Sequence, residues 1–262
     1  MPLTSRRGFT LIELLVSLSL LGLVGLIAGR LLISQRRTAS ALLADDLARR
    51  TIDQASAWIT SELSEAGRSD SSTDLLRLGP DALSYRGWRL AGLACLVTGS
   101  EVRIPRTRLS AWRAPQPGRD SLLLYLGPDS IPGRGAWSVL PLLGVGAASC
   151  GGVPALSLTT RIDSASLPGL PPLVPVRTFE VMQLRLYLSL GEWWLGARSE
   201  SAREGVQPLA GPLEERGLEL RYLDQRGGEV SEPGLVGRLQ LMVAPAGHRD
   251  SVRFLMLPRN LQ

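Results

Sequence analysis

Arg7-Gly8-Phe9-Thr10-Leu11-Ile12-Glu13-Leu14 stands at the head of an apolar run that continues to Ile33, and the reading of that run decides the fold. Only Glu13 and Arg30 are charged between Phe9 and Ile33. The 16 residues between those charges would extend about 24 Å as a helix, and snorkelling of the Arg30 stem lengthens this to bilayer thickness. One membrane-spanning helix is therefore expected over 9–33. A cleavable secretory signal would need a small-residue site after the apolar run, and no clean A-x-A site follows. Arg36 and Arg37 place basic residues behind the span as well as in front of it, so charge bias alone does not orient it.

Glu13 is the costly residue of this run. A carboxylate in an apolar helix costs roughly 2.5 to 3.5 kcal/mol at mid-membrane and less near the interface, where snorkelling to the headgroups would relieve it. Its neighbours suggest another use. Arg7-Gly8-Phe9-Thr10-Leu11-Ile12-Glu13-Leu14 resembles the class III signal of type IV pilins and type II secretion pseudopilins. The resemblance implies that a prepilin peptidase cuts after Gly8 on the cytoplasmic side and methylates Phe9 as the new N-terminus. It implies an assembly role for Glu13, and a physical reason fits. In a filament the ammonium of Phe9 on an incoming subunit would be buried uncompensated unless the Glu13 carboxylate of a neighbour met it. Such a pair sets register more than it adds stability, because taking both charges out of water is expensive. Many major pilins carry a helix-kinking Pro where this chain has Arg30, and pseudopilins and minor pilins often lack it. That departure points to a minor component.

Beyond the span the helix is expected to continue as an amphipathic segment over 34–67. Leu43, Leu47, Ala55, Ile59 and Leu63 recur at three- and four-residue spacings or their multiples, with Asp45, Asp46, Arg49, Arg50, Asp53 and Glu62 largely on other faces. Gly67 offers a C-terminal stop, and a polar connector over 68–74 follows. The period then shortens to two in 83–90, 121–126, 179–188, 218–223 and 235–243, with a turn signal over 224–228. The expected fold class is α+β. A long N-terminal helix, one half membrane-spanning and the other amphipathic, packs on a C-terminal antiparallel β-sheet domain in a pilin-like arrangement. The divisions are a leader 1–8, a filament-core helix 9–33, its continuation 34–67 and a soluble β-rich domain 68–262. The Gly- and Pro-bearing region 93–173 fits no pattern. The stretch from Tyr187 and Leu188 through Trp193-Trp194 to the closing strand resembles, more loosely, the C-terminal layout of J-type pseudopilins and W-type minor pilins.

Composition removes several chemistries. All 29 basic residues are Arg, so there is no P-loop lysine, no Schiff-base lysine and no Ser-Lys dyad. The single His248 excludes an HExxH site, and two cysteines 55 positions apart match no zinc-finger spacing. No metal site and no cofactor are expected. Gly144-Val-Gly-Ala-Ala-Ser-Cys-Gly-Gly152 has neither dinucleotide-loop spacing nor a Walker lysine and reads as a flexible loop. His248, Asp250 and Ser251 could supply hydrolase parts, but no G-x-S-x-G elbow accompanies them. No catalytic residue is assigned.

Three features remain as candidate sites. Cys95 and Cys150 would close a loop of about 55 residues, and if the domain is exported a disulfide would contribute about 4 kcal/mol by loop entropy; the other reading is two unpaired core residues. Trp193-Trp194 on a strand puts one indole in the core and offers the other as an interface anchor. The net charge of +5 and Arg103, Arg106, Arg108 and Arg113 allow nucleic acid as a partner without favouring it over solvated faces.

These readings point to a non-enzymatic structural subunit. It would be a minor pilin or minor pseudopilin that primes or caps a type IV pilus or a type II secretion pseudopilus, whether in a pilus, secretion or competence system serving DNA uptake. The alternative is a membrane-anchored receptor or adhesin that never polymerises. The implied partners are prepilin peptidase, other minor and major pilins or pseudopilins, and the lipid bilayer. The implied location is the inner membrane, single-pass with the soluble domain outside the cytoplasm, and then the filament tip.

Overall fold

The computed structural model describes residues 10–69, 72–128, 135–163, 170–247 and 251–257. One helix, α1 (Leu11–Leu63), opens it, and the fold class is α+β. The chain divides into two compact units, 1–49 and 50–262. The described part of the first is the N-terminal stretch of α1, whose apolar side chains stand exposed from Leu11 to Ile33 and again at Leu42, Leu43 and Leu47.

In the second unit the remainder of α1 packs on a sheet. Ala55, Ile59 and Leu63, spaced one turn apart, are buried, with Ile52 and Trp58 at the margin. The inward face of the amphipathic segment is thus legible at Ala55, Ile59 and Leu63, whereas Leu43 and Leu47 are not buried. Gly67 does not terminate the helix, which ends at Leu63. Its N–H instead donates to the carboxylate of Asp74 at 2.6 Å, because a buried carboxylate needs donors and the chain leaving the helix supplies one.

Sixteen strands follow among the described residues. β1 (Arg68–Ser69) and β2 (Ser72–Thr73) pair with each other inside the connector. Next come β3 (Leu75–Leu78), β4 (Ala82–Ala94), β5 (Leu96–Val97), β6 (Glu101–Pro105), β7 (Leu109–Ala111), β8 (Ser121–Pro128) and β9 (Gly135–Pro141). The chain ends with β10 (Gly144–Cys150), β11 (Val153–Thr159), β12 (Val174–Ser189), β13 (Glu192–Ser199), β14 (Gln207–Leu223), β15 (Arg238–Pro245) and β16 (Val252–Met256). The main antiparallel sheet has the order β16-β15-β14-β13-β12-β4-β3, with β7 on β4, β8 on β12 and β9 on β8. A smaller sheet has the order β10-β11-β6-β5. Each period-two segment read from the sequence lies in a strand, except that 235–237 precede β15, Leu235 ending a 3-10 turn.

The unplaced region holds the smaller sheet and most of a second core. Gly144–Cys150 is a strand and not a loop: it pairs residue for residue with β11, and Gly151-Gly152 make the turn at φ 57° and 85°. The first core lies between α1 and the main sheet, and the second gathers Leu90, Ile104, Leu122, Leu158, Val174 and Val176. β12 serves both. Its alternation runs unbroken from Val174 and Val176 in one core to Met182, Leu184 and Leu186 in the other, whereas the irregularity opposite Thr178 and Phe179 gives β4 the extra residue Arg89, so that Leu83 and Tyr85 join one core and Leu90 and Ala94 the other.

Buried charge marks the junction. Glu180 on β12 accepts from Arg119 and is ion-paired with Arg89, Arg119 also holds Glu204 at 2.6 Å, and Arg89 lies 3.5 Å from Asp120. Burial pushes the Asp120 carboxyl up and the Arg89 guanidinium down, the direction expected when charged forms lose water.

Candidate functional site: the amino-terminal helix

Thr10 and Glu13 open α1 as a reciprocal cap. The Thr10 N–H and hydroxyl each donate to the Glu13 carboxylate at 3.0 Å, and the Glu13 N–H donates to the Thr10 hydroxyl at 3.4 Å. This is the capping-box exchange, which satisfies N–H groups that a helix start leaves unpaired and places an anion at the positive end of the helix dipole. Thr10-Leu-Ile-Glu13 carries the T-x-x-E pattern openly, and reading Glu13 only as a buried-pair residue passed over it.

Further along the span two hydroxyls bond its own backbone. Ser17 and Ser19 donate their hydroxyls to the carbonyls of Glu13 and Leu15 at 2.7 and 2.8 Å, which suits a segment with no water. Gly22, Gly25 and Gly29 have no other group within 4 Å of where a Cβ would stand, so close helix approach is open there. By length and composition α1 contains an 18-residue window apolar enough to cross a membrane. Gly8 and Phe9, the expected cleavage residue and new terminus, lie outside the described residues.

The other candidate residues lie in the second unit. Cys95, just after β4, and Cys150, at the end of β10, are joined as a disulfide with their Cα atoms 6.4 Å apart. The bond ties the end of β4 to the outermost strand of the smaller sheet. Trp193 packs at the margin of the first core, and Trp194 lies on the other face over Gly211, where an added Cβ would come within 2.6 Å of the indole. Neither indole is fully exposed. Arg103 pairs with Glu101 at 2.8 Å, and this bond together with one from Ser157 holds the Glu101 carboxyl below its ordinary range. Arg113 reaches Glu62 on α1, and Glu62 also accepts from the buried Tyr85 hydroxyl at 3.4 Å. The four arginines are thereby split: two are engaged in ion pairs, and Arg106 and Arg108 sit exposed on a 3-10 turn. His248 and Asp250 lie outside the described residues, and no group of three metal-ligating side chains occurs among those described.

Residues 3–29 match a family model described as the prokaryotic N-terminal methylation motif. Neither the curated proteins nor the solved structures give a match to the chain. The chain therefore carries a prepilin-like processing signal at the head of an apolar helix, a combination that supports the pilin and pseudopilin class and fits membrane anchoring.

Proposed function

We propose that the chain is a minor pilin or minor pseudopilin, a structural subunit that primes or caps a type IV pilus or a type II secretion pseudopilus. One observation carries the reading: the methylation motif runs directly into a helix whose apolar side chains from Leu11 to Ile33 are left uncovered by every described residue. A lone soluble chain does not leave such a surface bare, whereas a bilayer and then a bundle of like helices would cover it.

On this reading prepilin peptidase cuts after Gly8 and methylates Phe9. The Glu13 carboxylate then meets the Phe9 ammonium of a neighbouring subunit, and Gly22, Gly25 and Gly29 give neighbouring helices room to close. The β-rich unit stands outside the inner membrane and contacts sibling subunits, and the Cys95–Cys150 bond suits that oxidising side. Arg30, in place of a kinking proline, favours a minor role over that of the main filament subunit.

The test is the intact mass and N-terminal sequence of membrane-extracted protein, made with and without active prepilin peptidase. A methylated Phe9 terminus that depends on the peptidase, together with recovery in sheared filaments, is the expected result. An uncut Met1 under both conditions overturns the reading and leaves an anchored receptor.

A further inference from the structure

A recess at the C-terminal end of α1 is left unused by the fold. Ser61, Glu62 and Glu65 from the end of the helix, Trp88 on β4, and Trp112 and Arg113 just past β7 enclose about 150 Å³. The backbone fixes one wall: the N–H groups of Trp112 and Arg113 both donate to the Arg89 carbonyl, at 2.8 and 3.1 Å, which holds the segment leaving β7 against β4. The Trp112 side chain is 53% exposed and belongs to neither core. Among the described residues its indole makes no ring contact and its ring N–H no hydrogen bond. A large aromatic side chain at the rim of a recess, with no packing duty inside the fold, is the kind of group that anchors a partner.

The charge around the recess sums to negative. Arg113 offsets one of the two carboxylates, and the last turn of α1 carries no basic residue to balance the negative end of its dipole. Glu62 already holds Arg113 and the Tyr85 hydroxyl, and Glu65 is engaged as well. A carboxylate has about four lone-pair directions, so both can take a further donor.

Trp88 shows which cation such a surface takes. The Arg177 guanidinium stands over its ring, 4.8 Å from the centroid. A guanidinium is planar, so it can lie on an indole while its edge forks to a carboxylate, a geometry that a compact ammonium lacks.

We propose that this recess is a receptor site for a guanidinium group, the head of an arginine side chain borne by a partner polypeptide. The group lies against Trp112 and donates to Glu65 and Glu62. A free amino acid would also bring an α-carboxylate, and the lining has no cation for it beyond Arg113, which Glu62 holds. The inference is independent of the filament reading, because every residue it uses lies in the second unit.

The experiment titrates the full-length protein in detergent, carrying isotope-labelled tryptophan, with arginine blocked at both termini. The six tryptophans give six indole N–H signals by NMR, and the one lost in Trp112→Phe belongs to Trp112. Blocked arginine should move that signal saturably, and blocked citrulline, its uncharged near-isostere, should bind at least about tenfold more weakly. Glu65→Gln should weaken blocked arginine about threefold to fivefold, with the other indole signals in place to show that the variant is folded. A Trp112 signal that stays still overturns the inference, as does one that citrulline or blocked lysine moves as readily or that is indifferent to Glu65→Gln. Tighter binding by free arginine than by the blocked form overturns the polypeptide source.

Discussion

Asp74 and Gly67 clasp each other twice: the Gly67 N–H donates to the Asp74 carboxylate at 2.6 Å, and the Asp74 N–H donates to the Gly67 carbonyl at 2.9 Å. Trp88 Nε1 donates to the same carboxylate oxygen at 3.2 Å, and Arg86 lies 3.5 Å from the other. One buried side chain therefore fixes the segment leaving the helix to β4. Asp74→Ala strands two N–H donors and a guanidinium, at an expected cost of about 3 kcal/mol. Denaturant unfolding of the full-length protein in detergent measures it, and a change below about 0.5 kcal/mol would show that the clasp contributes nothing.

Burial lifts the Asp74 and Asp120 carboxyls above their ordinary 3.8, although hydrogen bonds from Gly67 and Gln116 pull the other way. A carboxyl raised in the folded chain holds its proton more tightly there. Its contribution is fully present below the unfolded value and is lost as pH rises through the raised one. Asp224 behaves oppositely, held below 3.8 by backbone N–H donors led by Gly228, so its contribution is lost as pH falls through that lowered value. Stability measured against pH should therefore decline above 3.8 in a way that Asp120→Asn flattens. A decline below 3.8 should be flattened by Asp224→Asn. Unchanged curves in both variants would contradict the assignments.

Ile59→Ala removes a side chain with no exposure from the seam between α1 and the sheet, and is expected to cost about 2–5 kcal/mol. Leu43→Ala, at 66% exposure on the same helix, should change unfolding by less than about 0.5 kcal/mol. Equal losses in the two variants would mean that the sheet's grip on the helix begins much earlier than Thr51.

The Cys95–Cys150 bond closes a 55-residue separation, so Cys95→Ser with Cys150→Ser is expected to lower stability by about 4 kcal/mol before relaxation is counted. Hydrogen exchange gives the sharper readout. Protection should fall first in β5, β6, β10 and β11, with the α1 seam spared, because the bond joins elements around the second core. Uniform loss across both cores would show that they unfold as one.

The legible parts of this fold were those where one periodicity held. Ala55, Ile59 and Leu63 announce a helix face, and Leu239, Leu241 and Val243 announce a strand buried on one side. The second core hid because its residues come from short strands separated by Gly and Pro, and because the extra residue Arg89 shifts the alternation of β4 between Tyr85 and Leu90. Gly144–Cys150 misled for a related reason: small residues in a paired strand give no apolar alternation, so composition resembled a loop. Buried partners such as Glu180 and Arg89 were invisible, since nothing local separates a buried charge from a solvated one. The methylation motif stood out because it depends on consecutive residues and not on tertiary contacts.

Glu13 now has two candidate duties, and one pair of substitutions separates them. Its carboxylate caps α1 through Thr10, and the filament reading gives it the Phe9 ammonium of a neighbour. Glu13→Gln keeps an oxygen able to accept from Thr10 but carries no charge, whereas Glu13→Ala keeps neither. Cleavage after Gly8 precedes assembly and should be normal in both. If the charge acts in assembly, both variants should be depleted from sheared filaments at least about tenfold, because an ammonium left without its counter-charge in a low-dielectric bundle is costly. If the cap alone acts, Glu13→Gln should assemble like the unmodified chain while Glu13→Ala loses helix at its first turn. Filament recovery together with hydrogen exchange at the first turn of α1 therefore assigns the residue, since only the pairing role makes the glutamine variant fail with its helix start intact.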